Sequence, residues 1–430
     1  MKFKNLFFRL FQFFFGSAIF ALPLRVRSLL YIDDIHSLGF FNEYAAFFVN
    51  LSGLLFLFAF TCFGIASVRG EKISFDFKSL RQFAIPFLLL LIFSIVTVPF
   101  AHDPILALLY FWNTLVFFVM AAFLVAGAFN RFLAIKILVV SFFAQSILAV
   151  TQYVAGGSLG FYLFGESFFS ASTFNVAKIV LSSGETVVRG MGTLAHANIF
   201  GGLAALVLLF LAAYPRKSVL AYFAAVIILV GVFFSFSRAA ALALFVGLIL
   251  ITIFETKRRI VSVFAACVIF GTLALVFSGA FLARLDEHSV ASVGRLAQLS
   301  SAIEISHEYP LGVGRGGYTS ALAEVSPELK NWQLQPVHNF FVLKIAEESF
   351  LVAVTWLGIF AFMTVQSFRC KKFEALAVVA AMFILANFDH YFTTSFSAEA
   401  MLWLGCSFVT GELVTKEIEK KHGPDFLKEK

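Results

Sequence analysis

The chain has 430 residues, 60% hydrophobic and 13% charged, with a mean hydropathy of +0.93 and a formal net charge of +7. Soluble domains run at about 45–50% apolar and about 25% charged residues, so the composition excludes a water-soluble fold of this length. It implies a polytopic integral membrane protein.

Apolar runs between charged or Gly/Pro breaks predict about twelve spans. They cover 6–24, 40–67, 82–100, 104–128, 132–154, 197–214, 218–235, 239–254, 260–281, 339–366, 373–388 and 391–413. The first run follows Lys2 and Lys4 with no A-x-A site after it, so it reads as a retained helix and not a cleaved signal. With a cytoplasmic N-terminus, about 22 of the 32 Lys and Arg residues fall on the cytoplasmic side, as the positive-inside rule requires. The basic balance is then a matter of topology, and nucleic-acid binding is excluded as its meaning. The chain reads as a single membrane domain over 1–430 with both termini cytoplasmic. It has outward segments at 155–196 and 282–338, the latter a large, partly helical periplasmic loop between the ninth and tenth helices, and a basic tail at 414–430.

The 60 Phe residues read as generic lipid-facing residues and carry no functional inference. Cys62, Cys267, Cys370 and Cys406 lie in or beside apolar runs without CxxC spacing, which excludes a disulfide framework or a metal site built on them.

Polar chemistry is concentrated outside. The stretch "YIDDIHS" at 31–37 presents Asp33 and Asp34, either a divalent-metal pair or a solvated loop. The first long segment ends "GETVVRGMGTLAHANIFGGL", with Arg189 before a glycine-rich turn and His196 and Asn198 at a helix mouth. Arg238, in "FSFSRAAAL", sits between two apolar helices on almost no loop. In the second segment Arg295 opens an amphipathic stretch, with Leu296, Leu299, Ile303 and Ala302 on one face. "YPLGVGRGGY" follows with Arg315, and the segment closes at "QPVHNFFVLKIAEESF", where His338 and Asn339 precede an apolar run holding Lys344, Glu347 and Glu348.

Arginine forks match phosphate oxygens, and glycine turns let backbone N–H groups approach an anion. A neutral histidine beside them can act as a base. Each residue also has a structural reading: Arg238 snorkelling to the interface, Arg189 and Arg295 folding the loops, Arg315 decorating a turn, His338 satisfied at a helix mouth. Lys344 and Glu348, at i,i+4 spacing, read as an internal pair. No Walker-type or HExxH spacing is present.

Taken in order, Arg189 with "GTLAHAN", "SFSR" at 235–238, Arg295 in "VGRL", "YPLGVGRGGY" and "VHNFFVLKIAEESF" resemble the O-antigen ligase and O-antigen polymerase superfamily of bacterial envelope proteins. One departure is Ala197, where the family often has Pro. The resemblance implies an all-α, GT-C-like membrane glycosyltransferase of the inner membrane, needing neither cofactor nor metal and serving lipopolysaccharide or other envelope polysaccharide synthesis. It would move a glycan from undecaprenyl diphosphate to an acceptor hydroxyl on the outer face. In that reading Arg238 and Arg295 grip the donor diphosphate and His338 orients or deprotonates the acceptor. Arg189, Arg315, His196 and Asn339 contact donor, sugar or acceptor. A ligase acting on a lipid core is favoured over a polymerase of lipid-linked repeats. A transporter or flippase of lipid-linked sugars is the competing class, although it predicts an internal repeat that the chain does not display.

Overall fold

The computed structural model describes residues 5–33, 41–174, 176–181, 183–213, 218–253, 257–286 and 288–422. Helices form where apolar runs follow a polar cap. Asn130 accepts from the N–H groups of Phe132 and Leu133, Asp103 from those of Ile105 and Leu106, and Asp76 from that of Lys78. Each satisfies donors that a helix start leaves unpaired.

The order is α1 (Leu6–Ala21), β1 (Arg27–Ile32), β2 (Ala46–Asn50), α2 (Leu51–Val68), α3 (Phe77–Thr97), α4 (Pro104–Val125) and α5 (Arg131–Ala155). After β3 (Lys178–Val180) and β4 (Thr186–Val188) come α6 (Ala197–Ala213), α7 (Val219–Phe234), α8 (Arg238–Ile253), α9 (Lys257–Val276), α10 (Ser278–Asp286), α11 (His288–Glu308) and α12 (Tyr318–Val325). The last are α13 (Phe340–Glu348), α14 (Phe350–Arg369), α15 (Phe373–Phe388), α16 (Tyr391–Thr394) and α17 (Phe396–His422). Two small antiparallel hairpins, β1 with β2 and β3 with β4, interrupt an otherwise helical chain.

The expectation of about twelve spans in a GT-C-like arrangement is overturned. Among the described residues, five helices are long and apolar enough to cross a membrane: Leu51–Val68, Phe77–Phe100, Pro104–Val125, Arg131–Ala155 and Phe350–Arg369. A sixth is reached only if Val263–Val276 and Ser278–Arg284, bent by 95°, are one span. The chain is a multi-pass membrane protein with fewer long crossings than its hydropathy advertises. Five further apolar helices have 16 or 17 residues, about 24–26 Å at 1.5 Å per residue, against a hydrocarbon core of about 30 Å. The expected run 339–366 is two helices, broken at Ser349 with φ of 90°. The run 391–413 is likewise broken, at Ser395, between α16 and α17.

Much of the apolar content is core. The helix α6 is buried along nearly all its length and packs against α5, α7, α8, α15 and α17. Phe is not simply lipid-facing either. Phe11, Phe15, Phe56 and Phe129 are fully or almost fully buried, and Phe15 meets Phe56 and Phe129 at ring separations of 5.4 and 4.7 Å.

The segment 282–338, expected to be partly helical, holds α11 and α12, and α11 turns a different face inward from the one expected. Ala302 and Ile305 are its buried residues, packed with α12 and α13, whereas Leu296 is 68% exposed and Leu299 and Ile303 are exposed as well. The small Ala302 side chain permits the close approach.

Candidate active site

Three helix mouths meet at one point. Asn339 caps α13 by accepting from the N–H groups of Phe341 and Val342, and its Nδ2 donates to the carbonyl of Asn387. That fixes His338 just ahead of the helix. Asp389 and His390 occupy the break between α15 and α16. His196 precedes α6 and its Nδ1 accepts the N–H of Asn198 at 3.1 Å, so its neutral ring carries the proton on Nε2.

The three mouths are tied together by polar contacts. Asn198 Nδ2 donates to Asp389 Oδ2 at 3.2 Å, and Arg189 donates through Nη2 to Asn198 Oδ1 and through Nε to the carbonyl of Ser235. The rings of His338 and His390 lie 5.0 Å apart, nearly perpendicular, and Tyr44 meets His390 edge-on at 5.5 Å. His338 Nδ1 lies 2.8 Å from the carboxamide oxygen of Gln298. An oxygen of that kind only accepts, so Nδ1 carries the proton and Nε2 keeps its lone pair.

Burial lowers the His338 pKa; the Asp389 carboxylate works against that shift and the charge of Arg295 with it. Burial drives His390 down to about 4 and His196 to about 3; Arg189 adds to the second shift. Burial opposes ionisation of Asp389. The three histidines and the N–H of His390 nevertheless hold its carboxyl below the usual range. At neutral pH the site is one carboxylate facing three neutral imidazoles.

His338, His196, Asp389 and His390 line a cavity of about 660 Å³ that extends past Tyr44 to the β1–β2 hairpin. That volume suits a ligand of several rings.

The other expected residues are distributed unevenly. Arg189 is buried and reaches the cluster through Asn198. Arg295 is on α11 one turn before Gln298, and its charge is felt at His338. Arg238 opens α8 and donates to the carbonyl of Arg284 at 3.4 Å, beside the bond from Arg284 Nε to the carbonyl of Phe236. Arg315 lines the cavity, but its guanidinium grips Glu399 with both Nη atoms, at 3.0 and 2.6 Å, and donates to Thr114 Oγ1 and the carbonyl of Thr393.

The glycine turn bearing Arg315 also has another use. Gly312, Gly314 and Gly316 all have φ near 85°. The N–H groups of Val313, Gly314 and Gly316 bond to the carbonyls of Ala346 and Glu347 and to Glu347 Oε1. The one carboxyl group it meets, that of Glu347, belongs to this protein. Lys344 and Glu348 form the expected ion pair. Of the acidic pair at 33–34, Asp33 is buried and accepts from Ser320 Oγ at 2.8 Å, while Asp34 lies outside the described residues.

Sequence reasoning missed Asp389, His390, Gln298 and Tyr44. A signal existed in "NFDHYF": two titratable side chains in the narrow break between the last two apolar runs. Asp389 and His390 also alter the metal question. With His338 they offer three ligand atoms within 4.8 Å of one another, of types that hold divalent cations. The expectation of a site without metal ligands therefore does not carry over.

Residues 223–348 match a family model described as O-Antigen ligase. No curated protein matches the chain. The matched part runs from within α7 to the end of α13 and includes Arg238, Arg295, Arg315 and His338, whereas Asp389 and His390 lie beyond it. The stretch that closes on His338 is thus the part of the chain similar to O-antigen ligases.

Proposed function

We propose that the protein is a membrane glycosyltransferase of the O-antigen ligase type. It would take a glycan from undecaprenyl diphosphate and join it to an acceptor hydroxyl on the outer face of a bacterial inner membrane. The observation that carries this reading is His338. Its Nδ1–H is committed to Gln298, its pKa is lowered, it lines a large cavity, and it lies within the matched segment.

In the proposed step the acceptor oxygen attacks the anomeric carbon of the donor sugar. The bond from that carbon to the diphosphate oxygen breaks, and its electron pair leaves with the diphosphate. The acceptor proton passes to Nε2 of His338 as the new bond forms. Asp389 stabilises the resulting imidazolium and orients the rings around it. Arg295 and Arg238, both Arg forks near this end of the bundle, offset charge growing on the leaving group. A lipid-core acceptor is favoured over a second lipid-linked repeat.

The test is reconstitution of the purified chain with undecaprenyl-diphosphate glycan. Lipid core, a second lipid-linked repeat and a Ser/Thr peptide are offered in parallel. Glycan on the lipid core is the expected result. Glycan on the lipid-linked repeat would make the protein a polymerase, and no transfer to any acceptor would overturn the reading.

A further inference from the structure

The cavity has a second end that the reaction as written does not use. Arg238 and Arg295, the cations assigned to the diphosphate, are not among the described residues that line it. The far wall is built by the β1–β2 hairpin and by two segments distant in sequence, which meet there through Phe174 and Trp332. Those two rings are 5.6 Å apart and nearly perpendicular, at 85°. Phe174 is 68% exposed and Trp332 is 44% exposed, yet both line the cavity and neither belongs to a membrane-spanning helix.

The hairpin adds charge to this mouth. The guanidinium groups of Arg25 and Arg27 converge on the single oxygen Oε2 of Glu43, so two positive charges share one negative. Arg25 also donates to Ser167 Oγ at 2.9 Å, and Arg27 lies over the ring of Phe48 at 3.7 Å. Lys330, with its ammonium 5.0 Å from the Trp332 ring, adds a further positive charge beside the platform. Open aromatic faces take up the C–H faces of sugar rings, while an excess of arginine over carboxylate favours acidic groups.

We propose that this mouth is a saccharide subsite, with Trp332 and Phe174 as the stacking platform and Arg25 and Arg27 reading an acidic or phosphate substituent. The saccharide it holds is the acceptor, since the cavity runs from this platform to His338. That assignment rests on the transferase reading; the binding does not. Aromatic residues anchoring the chain at the membrane surface would be a different matter: anchors face lipid, and their loss leaves sugar binding unchanged.

The test uses the full chain in neutral phosphatidylcholine nanodiscs. The probes are maltotriose, maltotriose carrying a phosphomonoester, and an oligogalacturonate. The two anionic probes are expected to bind the wild type more tightly than maltotriose. Trp332→Ala weakens them about tenfold, the scale of one lost aromatic contact, and Trp332→Phe restores most of it. Arg27→Gln removes the preference for charge. In the transfer assay Trp332→Ala expresses its loss in the acceptor KM and not in kcat. Saccharide binding that depends on Trp332, without transfer to any acceptor, would sink the transferase reading and leave the subsite standing. Transfer with an unchanged KM in Trp332→Ala, or probes bound equally by Trp332→Ala and wild type, would overturn the subsite.

Discussion

Two polar clusters lie only a few residues apart in the stretch 335–350, and they behave in opposite ways. Around His338 the polar groups are neutral imidazoles gathered on one carboxylate, at the wall of a cavity. Around Lys344, Glu347 and Glu348 the groups are buried carboxyl and ammonium groups, and burial raises the Glu347 pKa to about 7. Lys344 is bound to Glu348, Glu347 to the glycine turn, and Arg315 of that turn to Glu399 on α17. Burial alone therefore does not mark chemistry. What separates the clusters is how they are partnered: the second is knit by ion pairs between side chains of opposite charge, while the first gathers imidazoles on one carboxylate and leaves the His338 Nε2 lone pair outside the Gln298 contact.

The sharpest break in this comparison is His338→Ala. It removes the base and is expected to lower transfer about 10²–10⁴-fold, with protein level and donor binding retained. In contrast, Arg315→Met strands Glu399 in the interior. It is expected to cost about 3–5 kcal/mol of stability, read as lost expression and a lower Tm, with any activity loss tracking folded protein. If the Arg315 variant stayed fully folded but could not transfer, that cluster would have to be moved to the chemical side. A smaller effect comes from Asp389→Asn. Removing the charge that raises the His338 pKa moves the acid limb of the pH–rate profile to lower pH, and transfer falls about tenfold, a cost of about 1.4 kcal/mol. Asn339→Ala deletes the α13 cap and costs about 1 kcal/mol of stability, with a modest loss of rate as His338 loosens.

The pH dependence separates the clusters without mutation. Because the folded pKa of His338 is lowered, kcat/KM is expected to stay level from pH 8 down through the ordinary histidine value of about 6.5 and to fall only below it. Stability follows the same sign. His390 and His196 titrate at about 4 and about 3 when folded, below the ordinary value of the unfolded chain. Their contribution is complete above about pH 6.5 and is lost as the pH falls towards those values, since the unfolded chain takes up protons first. Excess EDTA is expected to leave transfer intact if Nε2 of His338 is the base, and would abolish it if His338, Asp389 and His390 held a required cation.

How much of this was legible in the sequence depended on what kind of information each feature carries. The helical character and the helix-mouth position of His338 were readable, because an apolar run preceded by Asn339 is a local signal. The number of long crossings was not. Hydropathy scores α6, enclosed by five other helices, the same as a helix facing lipid, and it passes over the backbone break at Ser349. The i,i+4 pairing of Lys344 with Glu348 was readable for the same local reason, whereas the partnership of Arg315 with Glu399 spans 84 residues and was not. Asp389 reaches His338 only through tertiary packing. The glycine turn at 312–316, expected to let backbone N–H groups approach an anion, spends them on α13: on the carbonyls of Ala346 and Glu347 and on the Glu347 side chain.

The central claim is that His338 Nε2 takes the acceptor proton while other residues hold the donor. It is tested most directly in nanodiscs with purified wild type and His338→Ala, measuring donor binding and glycan transfer on the same samples. The account predicts equal donor binding and transfer lowered about 10²–10⁴-fold in the variant. Transfer by His338→Ala at the wild-type rate would contradict it.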